Sequence, residues 1–170
     1  MKHQGALMTD SGTAAVPPQN MPENESGKEQ IDTRFGRVTI YRKNPIIFPN
    51  GVLGMPDKFE FCLTKFPSEK LARFKLLQSL DDEKLSFITL PADMDNPLVE
   101  KADMIAACKD LDIPEKDVTL LFIVTVHRQT GSVKLSVNSR APIFINAPKR
   151  LATQYVFHSN KYKIQHMISM

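Results

Sequence analysis

The chain has 170 residues, 42% hydrophobic and 24% charged, with a formal net charge of +3. That composition suits one soluble domain with a tail, and no apolar run approaches the roughly 18 residues of a membrane helix. Nothing after Lys2 forms the apolar core of a secretory leader. Cys62 and Cys108 are the only cysteines and neither lies in a C-x-x-C, which argues against a disulfide framework or a zinc site and for reduced thiols in the cytoplasm.

The net charge conceals an asymmetry. The stretch Val118–Met170 contains no Asp or Glu and seven Lys or Arg, while the first 117 residues hold all 19 acidic ones. A basic half can face nucleic acid or an acidic protein. It can equally be a β-rich segment whose few exposed positions are filled by lysine.

Residues 1–32 are rich in Pro, Gln, Asn, Glu, Ser and Gly and show no periodicity. Such a segment cannot bury enough apolar area to offset its ordering entropy, so a mobile tail is expected there. From residue 33 to residue 166 short strands alternate with turns, and 167–170 read as a C-terminal tail. "RVTIY" (Arg37–Tyr41) alternates Val38 and Ile40 with polar neighbours. "PIIF" (Pro45–Phe48) is closed by "PNGVLGMPD", where Pro49, Gly51, Gly54 and Pro56 stop regular structure. "KFEFCLTKF" alternates Phe59, Phe61 and Leu63 with Glu60, Cys62 and Thr64, a period-2 pattern.

"RFKLLQSL" and "LSFITL" flank Asp81-Asp82-Glu83-Lys84. Two adjacent carboxylates could serve as general acid and base, but such a pair must converge on one substrate atom. Adjacent residues at a turn diverge, and Asp is favoured there because its carboxylate accepts backbone N–H bonds. The stretch therefore predicts a hairpin tip. Next, Leu98, Val99, Ala102, Ile105, Ala106 and Leu111 recur at helical spacing, with Asp95 or Asn96 as cap, Pro97 in the first turn and Pro114 as stop. "VTLLFIVTVHR" (Val118–Arg128) is apolar on both sides, as a strand covered on both faces would be. "QTGS" turns into "VKLSVN" at Gly131, and "PIFIN" and "TQYVF" follow. About nine short strands with one main helix predict a mainly β fold, a small antiparallel barrel-like domain.

No set of residues assembles a catalytic or metal site. His3, His127, His158 and His166 lack ligand spacing. No G-x-S-x-G or cysteine-nucleophile context is present. "GVLG" lacks the Lys and Ser/Thr of a phosphate loop. Neither an enzyme nor a cofactor is expected. A nucleic-acid reading has more support: Tyr155, Phe157 and Tyr162 interleave with Arg150, Lys161 and Lys163, as on a stacking and phosphate-tracking surface. Strand alternation would instead turn Tyr155 and Phe157 inward as packing residues.

Three stretches in register carry a resemblance. "IIFPNGVLGMPDKFEF" looks like an I-x-F-P-x-G-L-P-G-F segment, with Leu53 where a proline is common and Met55 where an aromatic is usual. "LLQSLDDEKLSFITL" is close to L-Q-S-L-D-D-P-x-L-x-F, with Glu83 replacing the proline. "SVNSRAPIFIN" is similar to N-L-x-A-P-I-x-I-N, with Ser139 in place of Leu. Together they resemble the flagellar assembly factor FliW family over about Phe35 to His166, while "NKYKIQHM" matches the family's ending only at Tyr162 and His166. The resemblance implies a non-catalytic, cytoplasmic β-barrel-like protein that binds the RNA-binding translational regulator CsrA, relieves its repression of flagellin synthesis, and also binds flagellin. It makes the turn at Asp81–Lys84 a presented surface feature, and under that reading the expected partner contacts are the tip (Asp81, Asp82) and the polar departures Asn138, Ser139 and Arg140. The alternative for Asn138 and Pro142 is that they only shape a turn.

Overall fold

The computed structural model describes residues 27–170. Eleven strands and one α-helix follow one another in these residues: β1 (Lys28–Thr33), β2 (Gly36–Tyr41), β3 (Ile46–Ile47), β4 (Glu60–Lys65), β5 (Lys75–Ser79), β6 (Ser86–Pro91), α1 (Lys101–Asp110), β7 (Val118–Gln129), β8 (Ser132–Val137), β9 (Ile143–Asn146), β10 (Leu151–Gln154) and β11 (His166–Ile168). Strands β7, β6, β5, β4, β3, β10 and β9 hydrogen-bond in that order, and β9 returns to β7 to close a ring. Every ladder is antiparallel except the single rung joining Leu151 of β10 to Ile47 of β3. The expected barrel-like, mainly β fold with one main helix is therefore present.

Long β7 serves both parts of the sheet. Its first half pairs with β9 and its second half with β8, which in turn carries β11. Leu121 faces one core with Phe48, Phe61, Leu77 and Ile143, while Leu120, Phe122 and Val124 face another with Ala107, Cys108, Phe144 and Phe157. Coverage of both faces is why its apolar run does not alternate. Full burial of each large side chain contributes roughly 1.5–3 kcal/mol relative to exposure.

The expected tail of 1–32 ends earlier than the composition implies. Residues 28–32 belong to β1, paired with β2 from Lys28↔Tyr41 to Thr33↔Gly36. Ile31 is buried opposite Val38, and with Ile40, Cys62 and Leu76 it forms a third apolar cluster under the hairpin. One apolar side chain among Lys28, Glu29, Gln30 and Asp32 suffices because β2 supplies the rest. The remainder of that tail, residues 1–26, lies outside the described residues. At the other end, Met167 and Ile168 belong to β11 rather than to a tail.

Two local expectations are also corrected. Phe61 and Cys62 are both buried, because the β1–β2 hairpin covers the second face of β4; Phe59 precedes the strand and is exposed. The helix begins at Lys101, not at Pro97, and its buried positions are Ala107 and Cys108, with Met104 and Leu111 packed beside them. Ala102 and Ala106, expected inward, are exposed. Asp95 instead donates its N–H to the Asp93 carboxylate in the preceding loop, at 2.9 Å.

Candidate functional site

The two expected contact segments are built in the same way, with short polar side chains holding backbone in turns. Asp82 accepts the Lys84 N–H on its carboxylate at 3.0 Å while its carbonyl accepts the Leu85 N–H at 3.0 Å, which closes the β5–β6 tip. Oδ2 of Asp81 accepts the N–H groups of Phe59 and Glu60 at 2.8 and 3.0 Å, tying the tip to the start of β4. The Glu60 N–H above all, with the Phe59 N–H, holds the Asp81 carboxyl below the usual carboxylate range against the opposing effect of burial. Below them Ser79 Oγ accepts the N–H groups of Asp81 and Asp82. The pair forms a turn, as the spacing predicts, and the carboxylates do not converge on a shared site.

Sequence reasoning missed the residue beneath the tip. Gln78 is fully buried, and its Nε2 donates toward the carbonyls of Ser79, Glu83 and Leu85 at 2.9, 3.1 and 3.0 Å. Arg42 at the end of β2 pairs with Glu83 at 3.3 Å and with Glu29. Glu83, at the position where the family pattern has proline, thus gives the tip an ionic link to the first hairpin.

The second segment turns the chain from β8 to β9. Asn138 Oδ1 accepts the Ala141 N–H at 3.0 Å, and Gln154 Nε2 donates to the Ala141 carbonyl at 2.9 Å. Ser139, expected as a partner contact, is 1% exposed, and its hydroxyl donates to the Lys163 carbonyl and accepts the Lys163 N–H, both at 3.1 Å. A serine fits here because its hydroxyl serves both backbone groups of one residue; an aliphatic chain could serve neither. Arg140 is half-buried, and its carbonyl accepts the Phe157 N–H.

The fold does not bring the two segments together. Asn138 is level with Ile123, which pairs with Thr89, which pairs with Lys75. Lys75 begins β5 and Asp81 follows its end, so the segments lie toward opposite ends of the strands and on different parts of the sheet.

The aromatic–basic pattern follows the packing alternative. Phe157 and Tyr162 are buried, and Phe144, Tyr155, Phe157 and Tyr162 form a chain of ring contacts with centroids 4.8–6.4 Å apart. Lys161 pairs with Glu100 and Asp103 at 3.1 and 2.9 Å, and Arg150 donates to the carbonyls of Asn44 and Pro45. Rings packed inside cannot stack on bases. Cys62 and Cys108 are free and buried, and burial raises both thiols above their ordinary pKa. Among the described residues no cluster of three or more His, Cys, Asp or Glu could hold a metal, and no helix is long and apolar enough to cross a membrane.

A seven-stranded ring, a covering hairpin and polar motifs spent on turn geometry define a compact β-barrel-like protein with a braced hairpin tip. The family model for "FliW protein" matches residues 29–168, and the chain belongs to the FliW family. It is 35% identical over 138 residues to the flagellar assembly factor FliW of Clostridium beijerinckii, covering 79% of this chain and 94% of that protein. It is 32% identical over 135 residues to the FliW of Geotalea uraniireducens, covering 79% and 80%. A crystal structure of the flagellar assembly factor FliW superposes with a TM-score of 0.59 at 26% identity, over 82% of this chain and 96% of that one.

Proposed function

We propose that this flagellar assembly factor is a non-catalytic cytoplasmic protein that binds the translational regulator CsrA and relieves its repression of flagellin translation. It also binds free flagellin, which draws the antagonist away from the regulator. The observation that carries this reading is the family match across nearly the whole described chain. The braced tip supports it: a rigid, charged turn presents the same surface at every encounter and loses little ordering entropy on association.

The test is co-purification with CsrA, with and without added flagellin, for the wild type, Asp82→Lys and Arg140→Glu. Melting curves serve as the folding control. CsrA is retained by the wild type and released by flagellin in the expected result. A charge reversal at a contacting rim residue slows association, so binding kinetics are recorded. Failure of the wild type to retain CsrA refutes the reading, and unchanged kinetics in a variant removes that residue from the contact surface.

A further inference from the structure

The sheet splits beside β7. Strand β6 pairs with β7 only from Thr89↔Ile123 to Pro91↔Leu121. Beyond that point β7 continues through Val124 to Gln129, paired with β8 on one edge, and the described residues place no strand along its other edge. Between the diverging strands lies a groove of about 630 Å³, lined by Arg34, Phe35, Phe87, Ile88, Val126 and Arg128 among others. No acidic side chain lines it.

The two walls differ. On the β6 side the Arg34 guanidinium donates to the Ser86 carbonyl at 3.3 Å and lies over the Phe35 ring at 4.6 Å, so that edge is capped at Ser86. The β7 edge has no such cap among these contacts, and Thr125, Val126 and Arg128 along it are exposed. An uncapped edge is a row of backbone donors and acceptors suited to one more strand. Apolar side chains on the floor and opposite wall would take every second residue of that strand. Arg34 and Arg128 are the cations of the lining, so the complementary occupant carries carboxylates.

We infer that the β7 edge from Val124 to Arg128 is a docking groove for an extended peptide of a protein partner, apolar at alternate positions and acidic at its ends. This goes beyond the partners proposed above and does not depend on them. The test is selection of a phage-displayed library of random dodecapeptides on the full chain, followed by binding and amide hydrogen exchange with the best synthetic peptide. The expected consensus alternates apolar residues between acidic ends, and the peptide protects amides within 124–128. Binding by the Arg34→Glu/Arg128→Glu variant, whose two positions are exposed, is expected to be weaker by about tenfold or more. N-methylation of one alternating set of peptide amides abolishes binding, and methylation of the other set is tolerated. The inference is overturned by a consensus of helical period or basic charge, by protection elsewhere, by equal binding to the variant, or by no enrichment.

Discussion

Gln78 and Asp81 carry different costs because one is buried and the other is not. The Gln78 amide has two hydrogens to serve a ring of carbonyls, and its Oε1 has no partner among the described residues. Replacing it with Met keeps the volume and takes the donor from the Ser79 and Glu83 carbonyls, while the Leu85 carbonyl keeps the Ser79 N–H. The expected loss is about 2–3 kcal/mol in urea unfolding, with Gln78→Glu worse because a carboxyl would face carbonyl oxygens. Asp81 is exposed, so solvent weakens its two bonds, and Asp81→Asn should cost only about 1 kcal/mol at neutral pH. Its folded-state pKa is depressed by the Glu60 and Phe59 N–H groups. Its contribution is therefore fully present above the unfolded value of about 4 and lost as pH falls through the folded value. Urea titrations of wild type and Asp81→Asn should differ at pH 7 and converge as the pH falls through the depressed folded value.

At the level of elements, the C-terminal segment acts as a strap. Its Lys163 peptide is held by Ser139, and Tyr162 bridges to the helix: its hydroxyl donates to the Asp103 carboxylate at 2.5 Å and accepts the Glu100 N–H at 3.1 Å. At the helix start it is this tertiary contact, rather than a side chain of Asp95 or Asn96, that holds the Glu100 N–H, one of the donors a helix N-terminus leaves open. Ser139→Ala should cost about 1–2 kcal/mol and speed amide exchange in His166–Ile168. Tyr162→Phe keeps the ring packing and loses both bonds; a fall in melting temperature of about 3–6 °C is expected by calorimetry. An unchanged melting point would show that the Tyr162 hydroxyl does not hold the helix start.

For the molecule as a whole, the β1–β2 hairpin is a covering layer over β4. Thr64 Oγ1 donates to the Thr39 carbonyl at 2.7 Å, and the Tyr41 N–H approaches Cys62 Sγ at 3.4 Å. Deleting residues 1–33 removes β1 and Ile31. It should lower stability by about 2 kcal/mol or more and increase binding of a hydrophobic dye. Both thiols should resist an aromatic disulfide reagent in the native state and react on unfolding, since burial blocks access and disfavours thiolate.

The hairpin tip, the Gly131 turn and the strands around Phe61 and Leu121 are legible in the sequence because turn chemistry and period-2 burial act within a few residues. The family motifs are legible for a similar reason: Gly51, at φ +67°, sits where an added Cβ would approach the Met55 carbonyl to 2.4 Å, so the requirement for glycine is local. Tertiary structure alone decided which strand edges closed. The β7–β9 and β3–β10 pairings join residues far apart in the chain, and β1 became a strand because β2 and β4 had apolar surface to cover. It also decided which face of the helix was buried and whether Tyr162 and Ser139 looked outward. Each of those outcomes depends on what packs against a residue, and that neighbour is fixed by the assembled sheet rather than by adjacent sequence.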